Sequence, residues 1–301
     1  MQEVDHLNIV IGSAGFVGQN LVEVLTSLDP DTPILRVDIN EPCDFRIDIS
    51  NTSDVGKLKE ILTADSVVYF LSAISTNALC IDNPSLARSV NLSGLIAVLE
   101  ACASAGIKKF VFASSEWVYE NMSPNQLLIS EESLSQSTLP HQLYASTKFE
   151  GEQLVACYNS VFETCIGRFG IIYGPKETNR CALDSFVYSA LAGTTINIGA
   201  PSAGRNFIFI DDLCRALIFI GKPGGRIGIY NITHPEYVTL EDAADALLKL
   251  NLVTAEQVIL GEAESKVRCV VPQRLIDEGF CFEFDLRAGL LEMFKRVSNE
   301  R

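Results

Sequence analysis

The chain predicts an α/β fold, a doubly wound parallel sheet, on three observations. Short apolar runs alternate with helical patterns through the first half, an order that calls for parallel strands joined by crossover helices. A β-type run, Leu7–Ile11, ends in Gly12, Gly15 and Gly18, and a helix-type pattern starts at Phe16. A second run, Ile34–Asp38, ends in a carboxylate twenty positions past Gly18. With 301 residues and 48% hydrophobic content, the chain buries a sizeable core without staples.

The glycine turn comes first in the chain. Gly12 permits the tight turn, Gly15 lets backbone approach a pyrophosphate, and Gly18 lets the helix pack on its strand. The helix start at Phe16 and Val17 then presents free N–H groups and partial positive charge to phosphates. The bland alternative is a flexible turn. Asp38 stands where a carboxylate binds both ribose hydroxyls and repels a 2′-phosphate, which favours NAD over NADP. Arg36 on the same strand is a cation that accommodates such a phosphate, so NADP stays open.

Helical patterns follow at 54–62, 84–105 and 144–159, and strand patterns at 67–71, 110–113 and 164–169. Asp48, before Ile49, is either an acceptor for an adenine amine or a solvated loop aspartate. After Leu71 the third strand ends in the small residues Ser72 and Ala73, which let a cofactor lie against backbone but are also common at strand ends. The most polar stretch, 121–141, reads as a mobile lid between two candidate catalytic segments.

Those two segments carry the chemistry. The strand at 110–113 runs on into Ser114 and Ser115, hydroxyls at the carboxyl edge where open α/β sheets bind ligands. Tyr144 and Lys148, at i and i+4, share one face of the next helix. An isolated phenol is protonated at neutral pH, and a neighbouring ammonium together with an oxidised nicotinamide lowers its pKa. Tyr144 then exchanges a proton with a substrate hydroxyl or carbonyl. A surface helix carries the same pair, but its place after a glycine turn and a serine-ended strand selects the catalytic reading.

Composition narrows the partners. Against 38 acidic residues stand 23 basic ones, and the net charge of −15 disfavours nucleic acid and anionic membranes. An anionic substrate then needs local cations. Nine cysteines without a Cys-x-x-Cys pair read as reduced thiols, most of them in the core. The three histidines, His6, His141 and His234, lack metal-ligand spacing, so no metal site is expected. No leader pattern opens the chain and no apolar run nears about 18 residues, so a soluble, cytoplasmic protein with no membrane contact is expected.

Together these residues resemble the extended short-chain dehydrogenase/reductase family, in its NAD-dependent epimerase/dehydratase branch acting on nucleotide sugars. The marks are Gly12-Ser-Ala-Gly15-Phe-Val-Gly18, Asp48-Ile49, Asn91-Leu-Ser-Gly94, Ser114-Ser115 before Val118-Tyr119, Tyr144-x-x-x-Lys148, Arg168-Phe-Gly-Ile-Ile-Tyr173-Gly174-Pro175 and Arg205-Asn-Phe-Ile-Phe-Ile-Asp211-Asp212. The resemblance implies a Rossmann-like fold, with NAD held by Gly12, Gly15, Phe16, Val17, Gly18, Asp38, Asp48, Ile49, Leu71, Ser72, Ala73, Asn91, Tyr144, Lys148 and Phe169. It makes Tyr144 the acid/base, Lys148 the residue that binds the nicotinamide ribose, and Ser115 the partner of the sugar oxygen, with Ser114 as the neighbouring alternative. Arg205 and Arg268 are then the substrate-diphosphate arginines, since paired guanidiniums fork donors onto its oxygens; the bland reading of each is a surface ion pair.

Departures from the family pattern bear on the substrate. Dehydratases of this branch carry Asp-Glu where Glu116 and Trp117 stand, and Trp117 cannot remove a proton, so elimination of water is disfavoured. Glu116 is either a general acid or a solvated strand-end charge; Trp117 either stacks on a sugar or fills the core. Glu120 replaces a usual Gly, Ile171 a substrate-contacting Asn or Ser, and Asn206 an Asp.

Past Arg168 the chain reads as helix at 182–192, strands at 195–198 and 207–210, and a helix at 211–220 capped by its own aspartates. A return strand to the main sheet is expected at 228–231, and Thr239 begins a capped helix. The expected division is 1–175, with contributions from about 201–235, as the NAD domain, and 176–200 with 236–301 as the substrate lobe, the site lying between them.

The leading expectation is a nucleotide-sugar epimerase, with an NAD(P)H-dependent reductase of a ketosugar or other carbonyl as alternative and a non-catalytic dinucleotide sensor behind both. By resemblance the chain forms a homodimer through helices 84–105 and 144–159, with Leu92, Leu95, Ile96 and Leu99 on the pairing face.

Overall fold

The computed structural model describes residues 6–122, 128–134, 139–263, 265 and 267–299. Two compact units emerge: Met1–Met122 with Leu134–Phe169 and Cys214–Tyr230, and Ser123–Ser133 with Gly170–Leu213 and Asn231–Arg301.

The first unit is organised on β1 (Leu7–Ile11), β2 (Ile34–Asp38), β3 (Phe45–Arg46), β4 (Ser66–Phe70), β5 (Lys109–Ser115) and β6 (Glu163–Phe169). The sheet order is β3-β2-β1-β4-β5-β6, with Gly228–Ile232 at the far edge as the expected return strand. The registers joining β1 to β6 are parallel. Every residue of β4 and β5 is buried, as in central strands covered on both faces. Because strand order reverses beside β1 and β4, their carboxyl ends open the crevice in which such sheets hold ligands. Gly12, Ser72 and Ser115 all stand at or just beyond those ends.

Phe70, Phe110 and Phe112 from the strands pack with Leu95, Val98 and Leu99 in one apolar cluster. Those last residues belong to Pro84–Ala105, a continuous helical run with a π turn at Ser89–Gly94. Contrary to expectation, this 22-residue run is long and apolar enough to cross a membrane by length and composition. Its packed stripe against the sheet is the placement of a core helix. The same burial corrects the pairing face: Leu95 and Leu99 are core residues, while Ile96 is exposed.

Boundaries moved where caps intervene. The helix expected at 54–62 starts at Thr52, because the Asn51 side chain accepts from Ser53 N–H, and it tightens into a 3₁₀ turn at Gly56–Glu60.

The second unit holds helices Ala182–Ala192, Leu240–Lys249, Gln273–Asp277 and Leu286–Asn299, with three short strand pairs. Ile172–Tyr173 pairs with Ile208–Phe209, Gly204–Arg205 with Val238–Thr239, and Ile196–Ile198 with Val258–Leu260. Thr239 and Asp242 form the expected capping box. Of the aspartates at the start of Ile210–Gly221, Asp211 pairs with Arg296 at 2.6 Å, and Asp212 accepts from Glu283 and Phe284 N–H at 2.9 and 3.0 Å.

Of the expected lid, 123–127 and 135–138 lie outside the described residues. The piece between them is anchored. Ile129 N–H donates to Cys269 O at 2.8 Å, Val271 N–H to Ile129 O at 2.8 Å, and buried Glu131 accepts from Asn231 N–H at 3.0 Å.

Candidate active site

The turn after β1 is shaped by what a side chain would strike. Gly12 has φ +94°, and a Cβ there would come within 2.7 Å of Ser72 N. A Cβ on Gly18 would lie 2.1 Å from Gly12 O, so only glycine lets the helix Phe16–Leu28 pack this close. Exposed Gly15, the N-cap, would add a contact only with Gly12 O at 3.4 Å, leaving its outer side open to an approaching phosphate. Phe16 and Val17 begin the helix half-buried. Asp38 reaches back to this turn, where its Oδ2 accepts from Ala14 N–H at 2.9 Å. Arg36, the cation that kept NADP open, instead forks onto Asp44 at 2.7 and 3.1 Å.

Other expected cofactor residues fall into two groups. Leu71, Ser72 and Ala73 continue β4 half-exposed beside the turn, and Leu71 and Ser72 N–H both donate to Ile11 O. Asp48 and Asn91 have internal duties: Asp48 Oδ1 accepts from Ser50 N–H and Oγ at 2.9 and 2.7 Å, turning its own loop. Asn91, in the π turn, accepts from Ile74 N–H at 2.8 Å and donates to Ile74 O and Thr147 Oγ1. It thereby ties the loop after β4 to two helices. Ile49 is buried in the apolar core and Phe169 is buried at the end of β6.

At the end of β5 the paired serines meet different residues of the helix Leu143–Ala156. The Ser115 hydroxyl lies near enough to the Tyr144 phenol to lower its pKa, and Ser115 Oγ accepts from Trp117 N–H at 3.3 Å. Ser114 is thereby corrected as a substrate contact: it is buried and donates to Glu152 Oε1 at 2.5 Å. Glu116 is also corrected, since at 1% exposure it is no solvated charge. Trp117 beside it is half-buried.

Tyr144 and Lys148 lie on the helix Leu143–Ala156 as the spacing required. Lys148 is buried, with Nζ 2.7 Å from Ala113 O and 5.0 Å from the Phe112 ring centre. The expected acidification of Tyr144 by Lys148 is not found. Burial pushes the phenol up to about 12, opposed by the Ser115 hydrogen bond, and burial pulls the Lys148 ammonium down to about 8, opposed by Cys80 and Glu152. Desolvation of both groups outweighs their spacing on the helix.

In the second unit, Arg205 ends the strand Gly204–Arg205, half-buried, with a guanidinium N–H on Gly204 O at 2.6 Å. Arg268 is half-buried and two residues before Val270, whose N–H donates to Asn206 Oδ1 at 2.9 Å. The segments carrying the two arginines are thus stitched together. Ile171 is half-buried, and its carbonyl accepts from Ile208 N–H at 3.0 Å.

A family profile described as NAD dependent epimerase/dehydratase matches residues 8–233. The chain belongs to the NAD dependent epimerase/dehydratase family. It is 26% identical to the dTDP-D-glucose 4,6-dehydratase of Dictyostelium discoideum, over 81% of this chain and 62% of that protein. It is 27% identical to the UDP-glucuronate 4-epimerase of Thermodesulfobacterium geofontis, over 72% of each. The chain thus spans under two thirds of the first relative's length. Its fold matches the crystal structure of the UDP-glucose 4-epimerase of Thermus thermophilus with a TM-score of 0.77 at 21% identity, covering 98% and 99% of the two chains.

Within this member of the epimerase/dehydratase family, one group beside the dyad escaped the sequence reading. Arg168 is 2% exposed and forks onto Glu152 at 2.9 and 2.6 Å while donating to Tyr119 Oη at 2.6 Å. With Ser114 this makes a buried network directly behind Ser115. The signal for it was present: Glu152 continues the Tyr144, Lys148 series by a further i+4 step onto the same helix face.

Proposed function

We propose that this protein is an NAD-dependent nucleotide-sugar epimerase, on the observation that Tyr144 and Lys148 stand one turn apart on the helix Leu143–Ala156, with Ser115 at the carboxyl edge of β5 near enough to the phenol to lower its pKa. The glycine turn fits a dinucleotide: Gly12 and Gly18 let the strand, turn and helix pack closely, Gly15 leaves its outer side open to a pyrophosphate, Asp38 stands beside the turn for the ribose, and the hold of Asp44 on Arg36 favours NAD over NADP. Bound NAD supplies the hydride acceptor and donor. The first unit thus serves the cofactor and the second, through Arg205 and Arg268, the diphosphate of the substrate.

Ser115 holds the reacting sugar oxygen next to Tyr144. The phenol, protonated at rest, gives and takes the proton of that oxygen, and the positive charge of an oxidised nicotinamide lowers its pKa for the base step. Lys148 adds its ammonium for the ribose hydroxyls. Trp117 supplies no base for loss of water, which argues against a dehydratase.

Purified protein given UDP- and dTDP-hexoses without added cofactor interconverts a pair of epimers. Stoichiometric consumption of NADH or NADPH would instead identify a carbonyl reductase, and inertness across the panel would remove the epimerase reading. Cytoplasmic location and homodimers belong to the same proposal; exposed Leu86 and Ile96 on Pro84–Ala105 offer the apolar contact.

A further inference from the structure

Asn206 follows Arg205 where the family pattern has an aspartate, and it is 1% exposed. Its amide is fully committed. Oδ1 accepts from Val270 N–H at 2.9 Å, and Nδ2 donates to His234 O at 2.9 Å and Pro235 O at 3.3 Å. The amide orientation follows from these partners: an N–H can be met only by the oxygen, and two carbonyls only by the nitrogen. An ionised aspartate would present acceptors to both carbonyls.

Val270 lies two residues after Arg268, so Asn206 joins the neighbour of one arginine to the segment of the other. Thr233 Oγ1 adds a bond to Val270 O at 2.7 Å, and Asn231 Nδ2 one to Val271 O at 2.9 Å. These grip the segment from the 231–233 side, and Asn206 grips it from the Arg205 side.

We propose that Asn206 is the positioning residue that sets the spacing of Arg205 and Arg268 and so governs affinity for a nucleoside-diphosphate group. This rests on the reading of both arginines as diphosphate ligands. A bidentate guanidinium contact is lost with small displacements, so a shifted 268–270 segment weakens the pair as a unit. In Asn206→Asp the buried carboxylate repels the His234 and Pro235 carbonyls; once protonated it again donates to one of them and accepts from Val270.

The test titrates NAD-loaded protein with UDP-glucose and dTDP-glucose by calorimetry, wild type beside Asn206→Asp, between about pH 5.5 and about pH 8.5, a range over which the diphosphate diester keeps its charge. His234, Tyr237 and Cys269, the titrating neighbours, and the carboxylates Asp212, Glu236 and Asp285 are common to both proteins, so the wild-type profile is the reference. At the alkaline end Asn206→Asp binds about tenfold more weakly, equivalent to about 1.4 kcal/mol, and it converges on wild type at the acid end, with NAD affinity retained. A loss independent of pH, or no loss at any pH, overturns the inference. If Asn206→Asp does not fold, Thr233→Val, which removes another bond to Val270, carries the prediction of weaker sugar-nucleotide binding with NAD binding kept, and unchanged affinity overturns it. Arg205→Ala and Arg268→Ala separate the two levels: wild-type affinity in both removes the diphosphate reading itself, whereas lost affinity there with an indifferent Asn206→Asp removes only the positioning role.

Discussion

Ser114 donates a hydrogen bond to Glu152 across 2.5 Å, while its neighbour Ser115 lowers the pKa of the Tyr144 phenol. Adjacent residues of one strand thus divide structure from chemistry, and their alanine variants separate the two. Ser115→Ala lowers kcat by about 10²-fold and moves the alkaline-favoured limb of the rate profile to higher pH, because the bond that lowers the Tyr144 pKa is gone. Ser114→Ala costs about 1–2 kcal/mol in urea unfolding and keeps kcat within a few-fold.

The Glu152–Arg168 pair is almost fully buried, and truncating one partner strands the other's charge. Glu152→Ala is expected to lose about 3–5 kcal/mol of stability, more than the Glu152→Leu/Arg168→Met double variant, in which neither charge is left behind. Urea midpoints of the three proteins check this, and equal losses in the single and double variants would refute it.

Lys148 gives a pH signature. Its ordinary value of 10.5 falls to about 8 in the folded protein. Between these values the unfolded chain binds more protons, so the stability of wild type rises with pH across that window; below pH 8 both states are protonated and the full penalty persists. Lys148→Met removes this rise, which for a shift of that size is at most roughly 3 kcal/mol. Tyr144, raised to about 12, titrates in the opposite sense above pH 10 and does so in both proteins. Unfolding free energies of the NAD-free protein at pH 8 and pH 10 measure the difference.

Two glycines test the cradle. Gly18→Ala forces a Cβ onto Gly12 O and abolishes measurable NAD binding. Gly56→Ala, where nothing lies within 4 Å and φ is −53°, gains about 0.4–1 kcal/mol and leaves NAD binding intact.

Local patterns carried most of the fold and pointed to the elements that bear the candidate site. Glycine spacing, the acidic end of β2 and the Tyr144–Lys148 interval are short-range signals, and each led to the right element. What stayed hidden depends on partners far along the chain or on burial shared by many atoms. That Ser114 is taken up by Glu152, 38 positions along the chain, does not show in the paired serines themselves. Glu116 reads as charged and solvated until the sheet encloses it. The Asn206–Val270 bond spans 64 positions. Helix spacing reveals a cation near Tyr144 but not the dense protein that desolvates both groups and, without NAD, raises the phenol's pKa.

Tyr144 as the proton carrier is tried most directly by comparing wild type with Tyr144→Phe, both loaded with NAD, following the ratio of epimeric UDP- or dTDP-hexoses by proton NMR without added cofactor. Wild type is expected to equilibrate the epimers. The variant, holding the same NAD and unfolding at the same temperature within a few degrees, is expected to be slower by about 10²-fold or more. Equal rates in the two proteins would remove Tyr144 from the chemistry and the epimerase mechanism with it.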